Sequence, residues 1–332
     1  MSELNKLWSR GQQFLGTKYS IIGGAMSWIS ESNLVSAMSN NGMFGVLATG
    51  PMSPELLKEE IKKIKSKTNN PFGVNLIVMH PKLQELMDVC IEEKITHVIF
   101  AAGLINSSII EKLKSHNIKV VAFAPNLSLA KRMIKNGIDA LIIEGSEAGG
   151  HIGPVSTSVL VQEILPNITE VPVFVAGGIG RGEVIANYLK LGASGVQIGT
   201  AFVCSTECVA HQNFKDAFIS ASAKDAQPSV QIDPQFPVIP VRAIINQASK
   251  DFLVYQQEVI NEFKSNTLSK QEAQLKIEHF WAGALRKAVV NGDVQNGSLM
   301  AGQSVGLIDK VEPICEILNK LINQAEQFLQ SN

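Results

Sequence analysis

The sequence contains little charge, few cysteines and no hydrophobic run long enough to cross a bilayer. Only 18% of its 332 residues are charged, and 29 Lys and Arg residues nearly balance 30 Asp and Glu residues. A protein that binds nucleic acid or an anionic membrane electrostatically needs a strongly basic face, so this balance argues against both partners. The longest apolar runs, such as residues 98–105, are far shorter than the roughly 18–20 residues of a transmembrane helix.

The four cysteines are too few for a disulfide framework in a chain of this length. Cys204 and Cys208 are separated by three residues, but no second pair with zinc spacing accompanies them. We therefore expect free thiols and no metal site. Residues 1–19 are polar and lack the apolar core of a signal peptide. These features together predict a cytoplasmic protein.

The chain, which is 45% hydrophobic, alternates short runs rich in Val and Ile with amphipathic stretches. The runs show little polar alternation, which is typical of parallel strands covered on both faces. We predict strands at residues 20–22, 45–48, 72–77, 97–101, 119–123, 140–144, 171–176 and 195–198. Amphipathic spacing predicts helices at residues 54–67, 83–93, 108–116, 127–136, 157–165 and 182–191.

Eight strands alternating with helices predict a (β/α)8 TIM barrel over residues 1–205. A doubly wound sheet is the alternative fold. No G-x-G-x-x-G turn follows an early strand, however, and the glycines at 178, 180 and 182 are followed by Glu183. The barrel is therefore the better interpretation.

The pattern changes after residue 205. A proline-rich stretch at 225–241 predicts a loop, and the chain from Arg242 onward, including residues 313–329, predicts helices. We expect residues 206–332 to form a loop and helical portion that closes the mouth of the barrel. The prolines of this stretch are Pro228, Pro234, Pro237 and Pro240.

Glycine is concentrated at the predicted carboxyl ends of the strands, where a barrel holds its active site. The ends at residues 144–153, 177–180 and 199–200 are the clearest. Glycine allows backbone N–H groups to approach a phosphate or a flat ring closely. The last two ends occupy the place where this fold binds phosphate. Tight turns alone are the alternative explanation, which weakens when several such ends share one rim.

His151 is the only histidine within a glycine-rich strand end. An imidazole in this place can move a proton near neutral pH, which makes His151 the candidate catalytic residue. A loop histidine without a role is the alternative. His80, shortly after the third strand, is the second candidate at the same end of the barrel. We expect structural roles for the other histidines, which are His97, His116, His211 and His279.

Several segments resemble the nitronate monooxygenase family, formerly called 2-nitropropane dioxygenases, which includes enoyl-acyl-carrier-protein reductase II. The clearest are EGSEAGGHIG at 144–153, VFVAGGIGRGE at 173–183 and GVQIGTAFV at 195–203. The resemblance extends over nearly the whole chain. It is highly specific to the group and weakly specific to any one activity inside it. The further segments are PFGVN at 71–75, VRAIINQASKDF at 241–252 and AGALRKAVVNGDVQNGSLMAGQSVGLI at 282–308.

The resemblance implies a non-covalently bound FMN. His151 matches the family's site histidine, beside the substrate. Asn75 and Glu144 would hydrogen-bond the flavin, and Met26 would lie against its ring. The remaining predicted contacts of the ring edge and phosphate are Gly149, Gly177, Gly178, Gln197, Ile198, Gly199 and Thr200, and the residues that would help close the site are Met300 and Gln303.

Two activities follow from the resemblance. One is the oxidation of alkyl nitronates with O2 to a carbonyl compound and nitrite. The other is the NAD(P)H-dependent reduction of an enoyl thioester, or of a quinone-type acceptor. Residues 23–26 read Gly-Gly-Ala-Met where the reductases usually have Gln-Gly-Gly-Met, and the proline-rich stretch also departs from their pattern. We therefore expect the nitronate activity, with a small-molecule substrate. A homodimer is one possible assembly.

Overall fold

Eight parallel strands close into a barrel in the computed structural model, which describes residues 2–234, 236 and 238–331. This architecture confirms the predicted TIM barrel and is not a doubly wound open sheet. A two-residue strand, β7 (Gly150–His151), lies outside the barrel in the loop after the sixth barrel strand. The barrel strands are β1 (Ile21–Gly23), β2 (Phe44–Ala48), β3 (Phe72–Ile77), β4 (His97–Ala101), β5 (Lys119–Phe123), β6 (Ala140–Glu144), β8 (Val173–Ala176) and β9 (Gly195–Ile198).

Helices follow the barrel strands and cover the outside of the barrel. Each of the six predicted helices is present, with ends within one residue of the prediction. They are α4 (Pro54–Lys67), α5 (Leu83–Glu92), α6 (Ser107–Ser115), α7 (Leu127–Lys135), α8 (Thr157–Ile164) and α9 (Gly182–Lys190). In α4, the Ser53 hydroxyl accepts a hydrogen bond from the backbone N–H of Leu56 and caps the helix.

Three helices near the N-terminus had no counterpart in the prediction: α1 (Glu3–Leu7), α2 (Ser9–Leu15) and α3 (Ser32–Asn40). Helix α2 closes the N-terminal end of the barrel. Its Phe14 carbonyl lies 3.0 Å from Nε2 of the buried His97, whose ring meets the Phe14 ring edge-on. Burial lowers the pKa of His97 to about 4, so this histidine remains neutral and has the structural role expected of it.

Side chains that point into the barrel form an apolar cluster separate from the layer between strands and helices. Because side chains alternate along a strand, membership of this cluster identifies inward-facing residues of β1, β2, β4, β5, β6 and β8. The cluster comprises Leu15, Ile22, Phe44, Val46, Ile99, Val121, Ala140, Ile142, Phe174 and Ala176.

The region after the barrel contains a small antiparallel sheet that the prediction missed. Strand β11 (Val241–Ile244) pairs with β7, with β10 (Ala226–Pro228) and with β12 (Leu299–Met300). The prediction of helix from Arg242 onward is therefore wrong at its start, because Arg242 lies in β11. The predicted loop at 225–241 likewise contains β10, and Pro237 lies outside the described residues.

Helices α10 (Thr200–Val203), α11 (Gln212–Ser220), α12 (Gln247–Lys264), α13 (Lys270–Asn291) and α14 (Ile314–Ser331) complete the described chain. Helices α12 and α13 share an apolar core of their own, which includes Phe252, Ile277 and Trp281. No helix in the described ranges is long and apolar enough to cross a membrane.

Candidate active site

Three polar side chains occupy the inner face of the barrel near its carboxyl-terminal mouth. Glu144 lies two residues after the inward-facing Ile142, and Gln197 pairs in register with Ala176, which itself pairs with Glu144. Asn75 on β3 pairs with the inward-facing Ile99. Strands therefore bring together three of the residues predicted to contact a cofactor.

The amide of Asn75 has a fixed orientation. Its Nδ2 donates a hydrogen bond to the carbonyl oxygen of Ile99 at 3.0 Å, and its own backbone carbonyl accepts from the Thr49 hydroxyl at 2.6 Å. Asn75 and Gln197 are both buried. An amide group held as that of Asn75 is can make a directional hydrogen bond to a ligand without rearrangement.

Glu144 has an unusual protonation state. The side chain retains partial solvent exposure at the open mouth, but the surrounding barrel encloses its carboxyl group, and burial raises its pKa from 4.5 to about 8. At neutral pH the carboxyl group is therefore mostly protonated. It can donate a hydrogen bond, and it places no negative charge in the mouth.

The glycine-rich strand ends leave the backbone accessible next to these polar groups. Gly177 and Gly178 have φ values of +94° and +71°, which favour glycine. A Cβ atom on Gly177 would lie 2.9 Å from the Thr157 hydroxyl oxygen, and one on Gly149 would lie 2.6 Å from the nitrogen of Gly302. Close packing as well as conformation therefore requires glycine here.

The end of β9 lies next to Gly302 in the C-terminal portion. Gly199 precedes α10, and the hydroxyl of Thr200 accepts a hydrogen bond from Gly302 N at 3.1 Å. The Sδ atom of Met26 lies 3.4 Å from the position of a Cβ on Gly199. Ile198 differs from its neighbours, because its side chain packs in the outer apolar layer and its carbonyl accepts from Gly24 N. Only its backbone borders the mouth.

The loop that carries His151 is tied to the C-terminal portion. Gln303 N donates to the carbonyl of Glu147 at 2.9 Å, and the Met300 sulfur lies 3.8 Å from the position of a Cβ on Gly150. Met300 and Gln303, which the family resemblance implies help to close the site, thus lie beside the loop after β6. Glu147 also accepts hydrogen bonds from the backbone N–H and hydroxyl of Thr157, both at 2.9 Å.

Arg242 is a structural residue of this region that the sequence analysis did not identify. Its side chain is buried, with Nε donating to the carbonyl of Ser146 at 2.8 Å and Nη1 donating to that of Ala226 at 2.5 Å. These bonds fix the small sheet to the loop after β6. The sequence signal for this role was a single arginine within the apolar segment 241–244, but the chain from this arginine onward was predicted to be helical and the segment is a strand.

His151 lies at the rim of the mouth, in β7. Its backbone pairs with Val241, and its Nε2 lies 2.9 Å from Oε2 of Glu278 on α13. The side chains of His151 and Glu278 are 42% and 32% exposed, so the imidazole remains open to a ligand. Glu278 was not predicted, because its only signal is this proximity in the fold.

The second candidate histidine has a local role. His80 Nδ1 accepts a hydrogen bond from the backbone N–H of Lys82 at 3.1 Å, in the turn before α5. Burial lowers the pKa of His80. Of the two candidates, His151 is therefore the one whose ring reaches across to another element.

The thiols of Cys204 and Cys208 are free and buried. Burial is the main cause that raises the pKa of Cys204 to about 12, so this thiol is unreactive at neutral pH. No group of three or more His, Cys, Asp or Glu side chains suited to a metal ion occurs in the described part of the chain.

Comparison with known proteins places the chain in a family. The model of a family described as nitronate monooxygenase matches residues 9–92 and 82–324. The solved structure of FabK from Thermotoga maritima has a TM-score of 0.84 and 34% identity, covering 100% of this chain and 98% of that chain. A probable nitronate monooxygenase from Staphylococcus aureus is 28% identical over 98% of this chain and 99% of its own.

An octahydro-1H-indene-4-carboxyl-CoA dehydrogenase from Rhodococcus jostii is 27% identical over 94% of both chains. The relatives therefore carry names for more than one oxidoreductase reaction. The family match extends far beyond half of the sequence and includes every strand of the barrel. The chain belongs to the nitronate monooxygenase family of oxidoreductase enzymes.

Proposed function

We propose that the mouth of the barrel binds FMN. The observation that carries this proposal is the convergence of Asn75, Glu144 and Gln197 beside strand ends that require glycine. Two amides and a protonated carboxyl group can hydrogen-bond the polar edge of an isoalloxazine ring. Backbone N–H groups at the strand ends of Gly177 and Gly199 could bind its phosphate. The residues present therefore fit FMN.

Bound FMN would supply the redox chemistry, while the protein supplies position and electrostatics. Gly178 and Thr200 would hold the phosphate, and Met26 would lie against the ring. His151, at the rim, would move a proton at a ring nitrogen. Met300 and Gln303 would exclude water from the mouth.

The first candidate reaction is the oxidation of alkyl nitronates with O2 to a carbonyl compound and nitrite. A nitronate is an anion, and a mouth in which Glu144 is uncharged does not repel it. The half-exposed His151 provides a group that can move a proton beside the substrate. The names of the family and of the Staphylococcus aureus relative support the same reaction.

The second candidate is the reduction of an enoyl thioester at the expense of NAD(P)H. It is favoured by the 34% identity to FabK over the whole chain and by the carboxyl-CoA substrate in the name of the Rhodococcus jostii relative. In this reaction His151 would move a proton beside the thioester. A quinone-type reductase would share the nicotinamide step and differ in the acceptor.

The two candidates differ in what reduces the flavin, so anaerobic stopped-flow absorbance separates them. The purified holoprotein is mixed separately with NADH, NADPH and propyl nitronate. Bleaching by propyl nitronate without a response to nicotinamides supports the nitronate reaction. Bleaching by a nicotinamide followed by reoxidation with a crotonyl thioester supports the enoyl reductase, and bleaching without that reoxidation supports a quinone-type acceptor. A protein that binds no FMN contradicts the whole proposal.

We propose that the enzyme acts on a small molecule in the cytoplasm. A homodimer is the assembly proposed for it. Light scattering coupled to size-exclusion chromatography measures the mass in solution, which is 35.9 kDa for one chain.

A further inference from the structure

The imidazole of His151 contacts a carboxylate from a different part of the fold. Its Nε2 is 2.9 Å from Oε2 of Glu278, which projects from α13 across to the loop after β6. The backbone of His151 is fixed separately by its pairing with Val241. Two elements of the C-terminal portion therefore each determine one part of this residue's position: pairing with β11 sets the main chain, and Glu278 on α13 sets the ring.

We propose that Glu278 is a positioning residue that fixes the tautomer of His151, so that Nδ1 is the ring atom that meets the substrate. In a neutral imidazole one nitrogen carries a hydrogen and the other a lone pair. An ionised carboxylate only accepts hydrogen bonds, so the nitrogen that faces it must carry the hydrogen. Nε2 is then the donor to Glu278, and Nδ1 keeps the lone pair.

The helix that bears Glu278 is well anchored at this point. Three residues further along α13, the ring of Trp281 is buried and lies 4.2 Å, centroid to centroid, from that of Phe252 on α12. Arg242 on β11 donates hydrogen bonds from Nε and Nη1 to the carbonyls of Ser146 and Ala226, so its guanidinium is already bound to other groups. Glu278 is thus presented by a fixed element, and a fixed partner is what orients an imidazole.

The inference rests on the proposed role of His151, but its first test does not depend on activity. The chain has six histidines, whose ring nitrogens can be labelled with nitrogen-15 and observed by long-range nitrogen–proton correlation spectra. The signals of His151 are those lost in His151→Asn. In the neutral imidazole we expect a hydrogen on Nε2 only. Glu278→Ala should give a mixture of both tautomers, and an unchanged tautomer in that variant would overturn the proposal.

The second test separates positioning from folding. Glu278→Ala should lower kcat by roughly 10–100-fold with little change in KM and with full FMN content, because the ring is misoriented but the site is intact. Glu278→Gln keeps an acceptor oxygen and should recover much of the loss. An increase in KM at constant kcat would indicate only a distorted helix and would overturn the positioning role.

A matched control lies on the same pair of helices. Glu262 on α12 forms an ion pair with Lys276 on α13 at 2.5 Å, and each side chain is 41% exposed. Glu262→Ala should leave both kcat and the His151 spectrum unchanged. Full activity in His151→Asn would contradict the proposed role of His151 in the reaction, while the spectra would still decide whether Glu278 sets its tautomer.

Discussion

At the scale of single residues, Glu144 illustrates how position changes chemistry. A carboxyl group that ends an inward-facing row of a barrel loses hydration, which raises its pKa to about 8. The consequence is a hydrogen-bond donor where the sequence alone indicates an anion. The family resemblance suggested a hydrogen bond from Glu144 to the flavin, but its protonation state follows only from the enclosure.

Replacing Glu144 by Gln should change how stability depends on pH. The pKa is higher in the folded apoprotein than the unfolded value of 4.5, so unfolding releases a proton between these values and wild-type stability falls as the pH rises from about 4.5 to 8. Glu144→Gln has no such group. Its apoprotein should gain stability relative to wild type between about pH 5 and 9. Urea unfolding of the wild-type and Glu144→Gln apoproteins at about pH 5 and about pH 9 measures this difference. The same pH dependence in both proteins would contradict the prediction.

His151→Asn should reduce turnover by about 10²–10⁴-fold, the usual contribution of a general acid–base group, while FMN stays bound. The reason is that the imidazole sits at the rim, beyond the polar groups assigned to the cofactor. Steady-state kinetics and the flavin absorbance of the purified variant measure the two effects. His80→Asn is the matched control at the same end of the barrel and should retain activity. Equal losses in both variants would argue against a specific role for His151.

At the scale of elements, prediction succeeded where the signal was local. Strands β3 to β6 were predicted residue for residue because each is a short apolar run buried on both faces. Strands β7 and β12 have two residues each and exist only through pairing with β11, which lies far away in the sequence. No local pattern specifies such strands. The structural role of Arg242 could not be predicted either, because that role depends on the small sheet.

The loop after β8 provides a test of the phosphate site at this scale. Gly177→Ala should weaken FMN binding, because a Cβ would crowd the Thr157 hydroxyl at 2.9 Å and strain a backbone with φ +94°. Gly192→Ala is the matched control. It has a similar φ of +104° but nothing within 4 Å of the added atom, and it lies after α9. Fluorescence titration of the apoproteins with FMN measures both affinities. Equal weakening of FMN binding in both variants would indicate general backbone strain and no specific phosphate site at Gly177.

At the scale of the whole molecule, the candidate site combines residues of two regions. The barrel supplies the polar mouth and the glycine-rich ends, which sequence analysis located because the carboxyl ends of barrel strands share one rim. The C-terminal portion supplies Glu278, Met300 and Gln303. Family motifs indicated the last two, whereas Glu278 meets His151 only through the packing of α13 against the loop after β6. Sequence periodicity describes elements and does not describe how two such regions meet.

FMN should stabilise the fold as a whole, because a ligand that binds only the folded state adds RT ln(1 + [L]/Kd), about 2.7 kcal/mol at a hundredfold excess over Kd. Riboflavin lacks the phosphate and should stabilise the apoprotein less, since the backbone around Gly178 and Gly199 would then have no anion to bind. Thermal unfolding at equal concentrations of the two compounds measures the difference. Equal shifts would exclude these loops as the phosphate site, and the absence of any shift with FMN would contradict the cofactor proposal itself.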